Sequence, residues 1–161
     1  MFVPFENLPD TSRIWIYQSN RELNDAEVSE IKNLGKNFVT EWTAHQQTLH
    51  AGFDVMHNYF LILAVDENVN DASGCSIDKS VHFIKEIEKK FNLNLFDRLA
   101  IGFYWNKKVQ VKSLKEFQQF YKTENLNDAV EIFNNMIHTK KELSGLWRVP
   151  IKDSWVSTRI A

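Results

Sequence analysis

The apolar run "YFLILAV" at residues 59–65 constrains the fold more than any other segment. Its last six residues are all apolar, which is typical of a strand that is covered on both faces. The preceding run "HAGFDVM" (50–56) indicates a second strand, and His57–Asn58 between the two predicts a turn. The sequence therefore predicts a sheet with this run as a central strand, packed on both sides.

Two long helices are predicted from capping signals and apolar spacing. The first begins after Asn24, which can form a capping box with Glu27. Its predicted apolar face consists of Val28, Ile31, Phe38, Trp42 and His45. The second occupies residues 77–91 and begins between Ser73 and Asp78, where small polar residues give way to helical apolar spacing. Both are expected to pack on the sheet.

The other elements are shorter. Further strands are predicted at 13–18, at 99–105 and 108–112 with a turn at Asn106–Lys107, and at 129–133; two shorter helices are predicted after Ser113 and Thr139. The chain is predicted to form a single α+β domain over residues 1–161. We expect a mixed or mostly antiparallel sheet of about five or six strands, packed by two long and two shorter helices. The C-terminal segment, about residues 147–161, is expected to be irregular.

The net charge and the cysteine content limit which partners and which cell compartment are expected. The net charge is −2 and the pI is about 6.2, so no strong field attracts nucleic acid or an anionic membrane. No membrane span is predicted, because no apolar run of about 18 residues is present, and no signal peptide is predicted, because the start "MFVPFENLPD" lacks a basic region followed by an apolar stretch. Cys75 is the single cysteine, which is typical of the cytoplasm. We expect a cytoplasmic protein with no nucleic-acid or membrane partner.

Nucleotide binding through a phosphate loop is not predicted. In the tripeptide "DKS" at 78–80, Lys79 and Ser80 match the last two positions of the pattern G-x-x-x-x-G-K-[ST]. Both glycine positions of that pattern are occupied by other residues, Ser73 and Asp78. Glycine is needed there because backbone N–H groups must wrap the phosphates.

A metal site is not predicted either. His45, His50 and His57 are spaced by five and seven residues, and this spacing matches no ligand motif. On a strand, an odd separation places His50 and His57 on opposite faces. We therefore expect surface or core histidines, with no metal and no cofactor.

Cys75 is the candidate catalytic residue. In the first turn of the second helix, its thiol would lie near unpaired N–H groups, a setting that favours thiolate. His82 is about 10 Å further along the helix, too far for a direct hydrogen bond. His45 is the preferred base, with Asp66 and Glu67 as acidic alternatives. The competing interpretation is packing, and we expect Cys75 to be at least partly shielded.

The same segment could hold an anion without any thiolate. Ser73 and Ser76 supply hydroxyls, the helix start that includes Gly74 supplies free N–H groups, and Lys79 supplies a positive charge. Asp78 opposes this attraction. The segment therefore predicts a binding site for a small phosphate or carboxylate at residues 73–79.

Several segments together resemble a family of small uncharacterised bacterial proteins. They are "IWIYQSNR", "EWTAH", "FLILAVDE", "SGCSIDKSVHFIKEIE", "LFDR" and "KDSW", and the resemblance covers nearly the whole chain. Members of this family are sometimes labelled "ABC transporter ATPase". The resemblance implies a bacterial source and assigns no role to an individual residue.

Two functional hypotheses follow. The first is a non-enzymatic cytoplasmic domain that binds a partner protein, or a small anionic ligand near residues 73–79. Trp147 and Trp155 favour a protein partner because tryptophan is enriched at interfaces. The alternative is a small enzyme that uses Cys75 as a reactive thiol, assisted by His45 or by Asp66 and Glu67. The oligomeric state is left open.

Overall fold

The computed structural model describes residues 1–127 and 130–160. In these ranges the chain is an α+β fold with three α-helices, four 3-10 helices and nine strands in three antiparallel sheets. The α-helices are α1 (Asp25–Glu41), α2 (Gly74–Phe91) and α3 (Leu114–Thr123). The strands are β1 (Arg13–Gln18), β2 (Thr43–Ala44), β3 (Gln47–Thr48), β4 (Ala51–Met56), β5 (Phe60–Val65), β6 (Ile101–Trp105), β7 (Lys108–Lys112), β8 (Glu131–Phe133) and β9 (Arg148–Pro150). The expected single sheet of five or six strands is thus wrong: the described strands are more numerous and belong to three sheets.

β5 is the centre of the first sheet, whose strand order is β1-β5-β4. All six residues of β5 are buried, as the apolar run predicts. Leu61, Leu63 and Val65 belong to one core cluster. Phe60, Ile62 and Ala64 belong to a second cluster on the opposite face. Burial of each large apolar side chain contributes roughly 1.5–3 kcal/mol, so both faces of β5 stabilise the fold.

Helices α1 and α2 cover the first face of this sheet. α1 begins with the predicted capping box, in which Asn24 and Glu27 bond reciprocally through side chain and backbone. Its buried positions are Ile31, Gly35 and Val39. Gly35 lies directly over the ring of Phe53 on β4, and a Cβ at this position would overlap the ring carbons. A glycine inside this helix thus allows the helix to approach the sheet closely.

The opposite face is covered by chain segments that lack α-helices. The 3-10 helix Phe5–Asn7 and the connection from β8 to β9 supply the buried residues Phe5, Ile137 and Trp147. These segments also pair with the sheet edges, where Val3 N–H donates to the Ala51 carbonyl at 2.8 Å. At the other edge, Ile14 N–H donates to the His138 carbonyl at 2.9 Å.

The second large sheet has the strand order β7-β6-β8-β9 and packs against α3. A polar chain joins it to the first sheet. The Asn135 amide donates to Gln18 Oε1 at 3.0 Å, and the Trp147 indole donates to Asn135 Oδ1 at 2.9 Å. Gln18 Nε2 in turn donates to the Ala100 carbonyl at 3.2 Å, just before β6. These bonds hold the end of β1 against the start of β6.

The end of the first helix differs from the prediction. α1 stops at Glu41, and Trp42 is extended, with φ −74° and ψ 127°. His45 therefore lies outside the helix, in the turn of the short β2–β3 hairpin, with φ 50°. The sequence does not signal this hairpin, because His45–Gln46 lacks the glycine or asparagine usual in such turns. Trp42 is buried as expected, although it follows the helix.

The C-terminal part also differs. Residues 148–150 form β9, paired with β8, and the 3-10 helices Ile151–Asp153 and Trp155–Thr158 follow. The expectation of an irregular tail is wrong for these residues, because β9 depends on a partner distant in sequence. The short helix predicted after Thr139 is a 3-10 helix, Lys140–Leu143. Ala129, predicted to begin a strand, and Ala161 lie outside the described residues.

The close contact at Gly35 gives a stability test. Glycine to alanine inside a helix normally stabilises by about 1 kcal/mol. Gly35→Ala is expected to destabilise the protein by about 1–3 kcal/mol instead, because the added methyl group overlaps Phe53. Urea denaturation measures the change. Gly74→Ala is the matched control, since a Cβ there meets no atom within 4 Å. If both variants were equally stable, the proposed close packing would be refuted.

Candidate functional site

The predicted anion site at residues 73–79 is the start of α2. Ser73 is the N-cap residue, and its hydroxyl accepts from Ser76 N–H at 3.1 Å. The Ser76 hydroxyl accepts from Ser73 N–H at 2.7 Å and donates to the Ser73 carbonyl at 2.8 Å. Ser76 is fully buried. Both hydroxyls are therefore engaged in capping the helix, whereas Gly74 and Lys79 are exposed.

This helix start is also a structural joint. The Trp42 indole N–H donates to the Ser76 carbonyl at 2.9 Å in a buried bond. Asn70 Nδ2 donates to the Thr48 carbonyl at 2.9 Å, which links the segment before α2 to β3. The sequence signal for this capping is a serine three residues after a serine N-cap. It is a weak signal, because a capping box normally carries glutamate or glutamine at the third position.

Cys75 lies in the first turn of α2 and is exposed. The expectation that it is partly shielded is wrong, because the side chain projects from the outer side of the turn while Ser76 faces inward. The exposed His45 is in the β2–β3 turn. The acidic candidates bond to backbone: Asp66 accepts from Asn68 N–H at 3.0 Å, and Glu67 accepts from Ala72 N–H at 3.0 Å. Within residues 1–127 and 130–160, no hydrogen bond joins Cys75 to any of these three.

A cleft of about 320 Å³ lies elsewhere, between two hairpin turns. One wall comes from the β4–β5 turn and the segment before α1, and the other comes from the β6–β7 hairpin. Its lining residues are Glu22, His57, Asn58, Tyr59, Tyr104, Lys107, Lys108 and Val109. Leu23 N–H donates to the Asn58 carbonyl at 2.8 Å, which holds Glu22 beside the first turn. We call this the turn cleft.

His57 occupies the β4–β5 turn with φ 55°. Its ring centroid lies 5.5 Å from the rings of both Phe133 and Trp147. Burial against these rings lowers the pKa of His57, and the positive charge of Arg148 lowers it further. At neutral pH, His57 therefore presents a neutral imidazole to the turn cleft, one that can both donate and accept a hydrogen bond.

Tyr104 on β6 is held in place by a charged partner. The Arg148 guanidinium lies over its ring at 4.0 Å from the centroid, and Arg148 also pairs with Glu131 at 2.7 Å. A guanidinium stacked on a tyrosine is attracted by the ring quadrupole. The Tyr104 ring is thus a fixed surface of the cleft, because the Arg148 guanidinium that lies over it is itself held by Glu131.

The charges of the turn cleft are of mixed sign. Lys107 and Lys108 line one wall and Glu22 lines the other. The pKa of Tyr59 is raised by burial first, and then by the negative charge of Glu22. Tyr59 therefore keeps its proton and can donate a hydrogen bond. The cleft thus combines two ammonium groups, two phenols, an imidazole and a carboxylate.

Sequence reasoning predicted both turns but missed the turn cleft. His57–Asn58 and Asn106–Lys107 were each recognised as turns, and both have positive φ. Their being neighbours depends on how the two sheets pack, which no local signal reports. The lysines directly after Asn106 were the available hint, since a turn carrying two adjacent positive charges can hold an anion.

The described residues contain no group of three or more His, Cys, Asp or Glu side chains that could hold a metal ion. Among the same residues, no helix has the length and apolar character needed to cross a membrane. No protein-family model, curated protein or solved structure matches the chain.

The exposure of Cys75 predicts ready labelling. We expect iodoacetamide to alkylate the folded protein at a rate within about tenfold of that for the urea-unfolded chain, because access is not limiting. Mass spectrometry over time measures both rates, with Cys75→Ser as the blank. Labelling that occurs only after unfolding would contradict the observed exposure.

The lowered pKa of His57 predicts a pH effect on stability. The unfolded chain takes up this proton near pH 6.5, whereas the folded protein takes it up only at lower pH. Protonation therefore favours unfolding, and this contribution to stability is lost as pH falls below about 6.5. His57→Asn keeps a residue that tolerates positive φ and removes the titration.

The test compares melting temperatures of wild type and His57→Asn between pH 7.5 and pH 5.5. We expect wild type to lose more stability than the variant on acidification, and the NMR titration of His57 to have a midpoint below about 6.5. Parallel pH profiles for the two proteins, or a midpoint above that value, would refute the assignment.

Proposed function

We propose that the protein is a non-enzymatic domain that binds a small anionic ligand, and that the ligand occupies the turn cleft. The observation that carries this proposal is the pair Lys107 and Lys108 lining the same cleft as Tyr59, Tyr104 and His57. Ammonium groups attract the anion, and phenol or imidazole groups can donate hydrogen bonds to it.

The proposal moves the ligand away from residues 73–79. Ser73 and Ser76 satisfy each other and the helix backbone, so an anion there would have to displace the cap. Loss of such a cap costs about 1 kcal/mol. At the turn cleft, by contrast, neither lysine takes part in an ion pair with another described residue.

The test uses inorganic phosphate and propionate as probes, at constant ionic strength, with amide chemical shifts as the readout. We expect saturable shifts at residues 57–59 and 107–109. Lys107→Gln with Lys108→Gln should weaken binding at least about tenfold, because both charges that attract the anion are removed. Lys115→Gln, an exposed lysine on α3, is the matched control.

Two outcomes would overturn the proposal. Shifts confined to residues 74–79 would return the ligand to the start of α2. No saturable shift with either anion would refute a small anionic ligand altogether.

A thiol enzyme is the second candidate, favoured by the exposure of Cys75 in the first turn of α2. His45 is the proposed assisting base. The rate of alkylation against pH tests this candidate, in wild type and in His45→Ala. A midpoint well below 8.5, shifted by the His45 substitution, would support it. A midpoint near that value, unchanged in the variant, would remove it.

We also propose a bacterial, cytoplasmic setting and membership of the family of small bacterial proteins that the sequence resembles. Both proposals rest on the sequence features above. The exposed single thiol supports a reducing compartment, because such thiols are readily oxidised elsewhere.

A further inference from the structure

The two walls of the turn cleft carry opposite charges. Glu22 belongs to the wall built by the first sheet, where Ser19 N–H donates to the Tyr59 carbonyl at 2.7 Å. Lys107 and Lys108 belong to the β6–β7 hairpin of the second sheet. The cleft therefore has a negative charge on one wall and positive charges on the other.

No described ion pair joins these opposite charges. The ion pairs among the described residues join Arg21 to Glu27, Lys32 to Asp54, Lys90 to Glu30 and Arg148 to Glu131. Glu22, Lys107 and Lys108 take part in none of them. Arg21, next to Glu22 in the chain, bonds to Glu27, and Arg148 bonds to Glu131.

A ligand with a single charge would complement only one of the two walls. A simple anion is attracted by the lysines and repelled by Glu22, and a simple cation meets the reverse. A simple anion can pair with the lysines but leaves Glu22 without a partner, and a simple cation leaves the lysines without one. A zwitterion gives each wall an opposite charge.

The volume of the turn cleft and its remaining lining residues further limit which ligands can fit. A volume of about 320 Å³ is at the small end for ligand pockets, which suits a single small metabolite rather than a dinucleotide. Tyr104 and Val109 line the same cleft and offer a small apolar surface beside its polar groups. The Arg148 guanidinium lies over the Tyr104 ring, 4.0 Å from its centroid.

We infer that the ligand of the turn cleft is a free α-amino acid with an apolar or aromatic side chain. Its ammonium group lies at Glu22, its carboxylate at Lys107 and Lys108, and its side chain against Tyr104 and Val109. This inference rests on the proposed function, because the carboxylate is the small anion proposed above.

The experiment compares L-phenylalanine with two analogues that each lack one charge, 3-phenylpropionate and phenethylamine. Calorimetry or amide chemical shifts give the affinities. L-Phenylalanine is expected to bind at least about tenfold more tightly than either analogue, because only it satisfies both walls. Glu22→Gln should remove this advantage over 3-phenylpropionate, and Lys107→Gln with Lys108→Gln should weaken both carboxylates.

The controls are Glu41→Gln and Lys115→Gln, which change the same charges on exposed helix positions outside the cleft. Melting temperatures confirm that every variant is folded. If 3-phenylpropionate binds as tightly as L-phenylalanine, the amino-acid assignment is wrong and the anion proposal stands. If L-phenylalanine does not bind, the assignment is wrong; if phosphate and both carboxylates all fail to bind, both proposals are wrong.

Discussion

The burial of β5 on both faces is the constraint on which the rest of the structure depends. A strand with six buried apolar residues cannot have a solvated face, so the chain must supply a layer on each side. α1 and α2 supply one layer. The N-terminal segment and the β8–β9 connection supply the other, which brings the second sheet into contact with the first. The turn cleft exists because these two sheets meet at their hairpin ends.

The contact between the sheets is stabilised by polar side chains that bond to one another and to the backbone. Gln18 bonds to Asn135 and to the Ala100 carbonyl, and Asn135 also accepts from Trp147. A Cβ at Gly102 would overlap Gln18 Oε1, so a larger residue there would displace the end of the Gln18 side chain from these bonds. These bonds are part-buried, and each contributes about 0.5–1.5 kcal/mol toward one arrangement of the elements that it joins. This network therefore fixes how the two walls of the cleft face each other.

The start of α2 shows how a structural motif can resemble a functional one. Small residues, hydroxyls and a cysteine before a helix are the components of an anion or thiol site. Here Ser73 and Ser76 close the helix cap, and Ser76 also receives the Trp42 indole bond. These contacts join α1 to α2 and leave Cys75 outside, exposed to solvent. Two of the residues predicted to bind an anion, Ser73 and Ser76, therefore serve to cap α2, and Ser76 also links it to the end of α1.

What the sequence determined by itself is the local structure. The capping box at Asn24, the start of α2 after Ser73, the burial of β5 and the turns at His57–Asn58 and Asn106–Lys107 were all predicted correctly. Each depends on hydrogen bonds or apolar spacing within a few residues, so residues that are close in sequence carry the signal.

Only the tertiary structure decided the rest. The placement of His45 in a hairpin, the pairing of β9 with β8 and the meeting of the two turns in one cleft were not predicted. Each depends on segments far apart in sequence, whose contacts form only when the apolar faces of both sheets are buried together. Local propensities carry no information about which distant segment packs against the apolar face of each sheet.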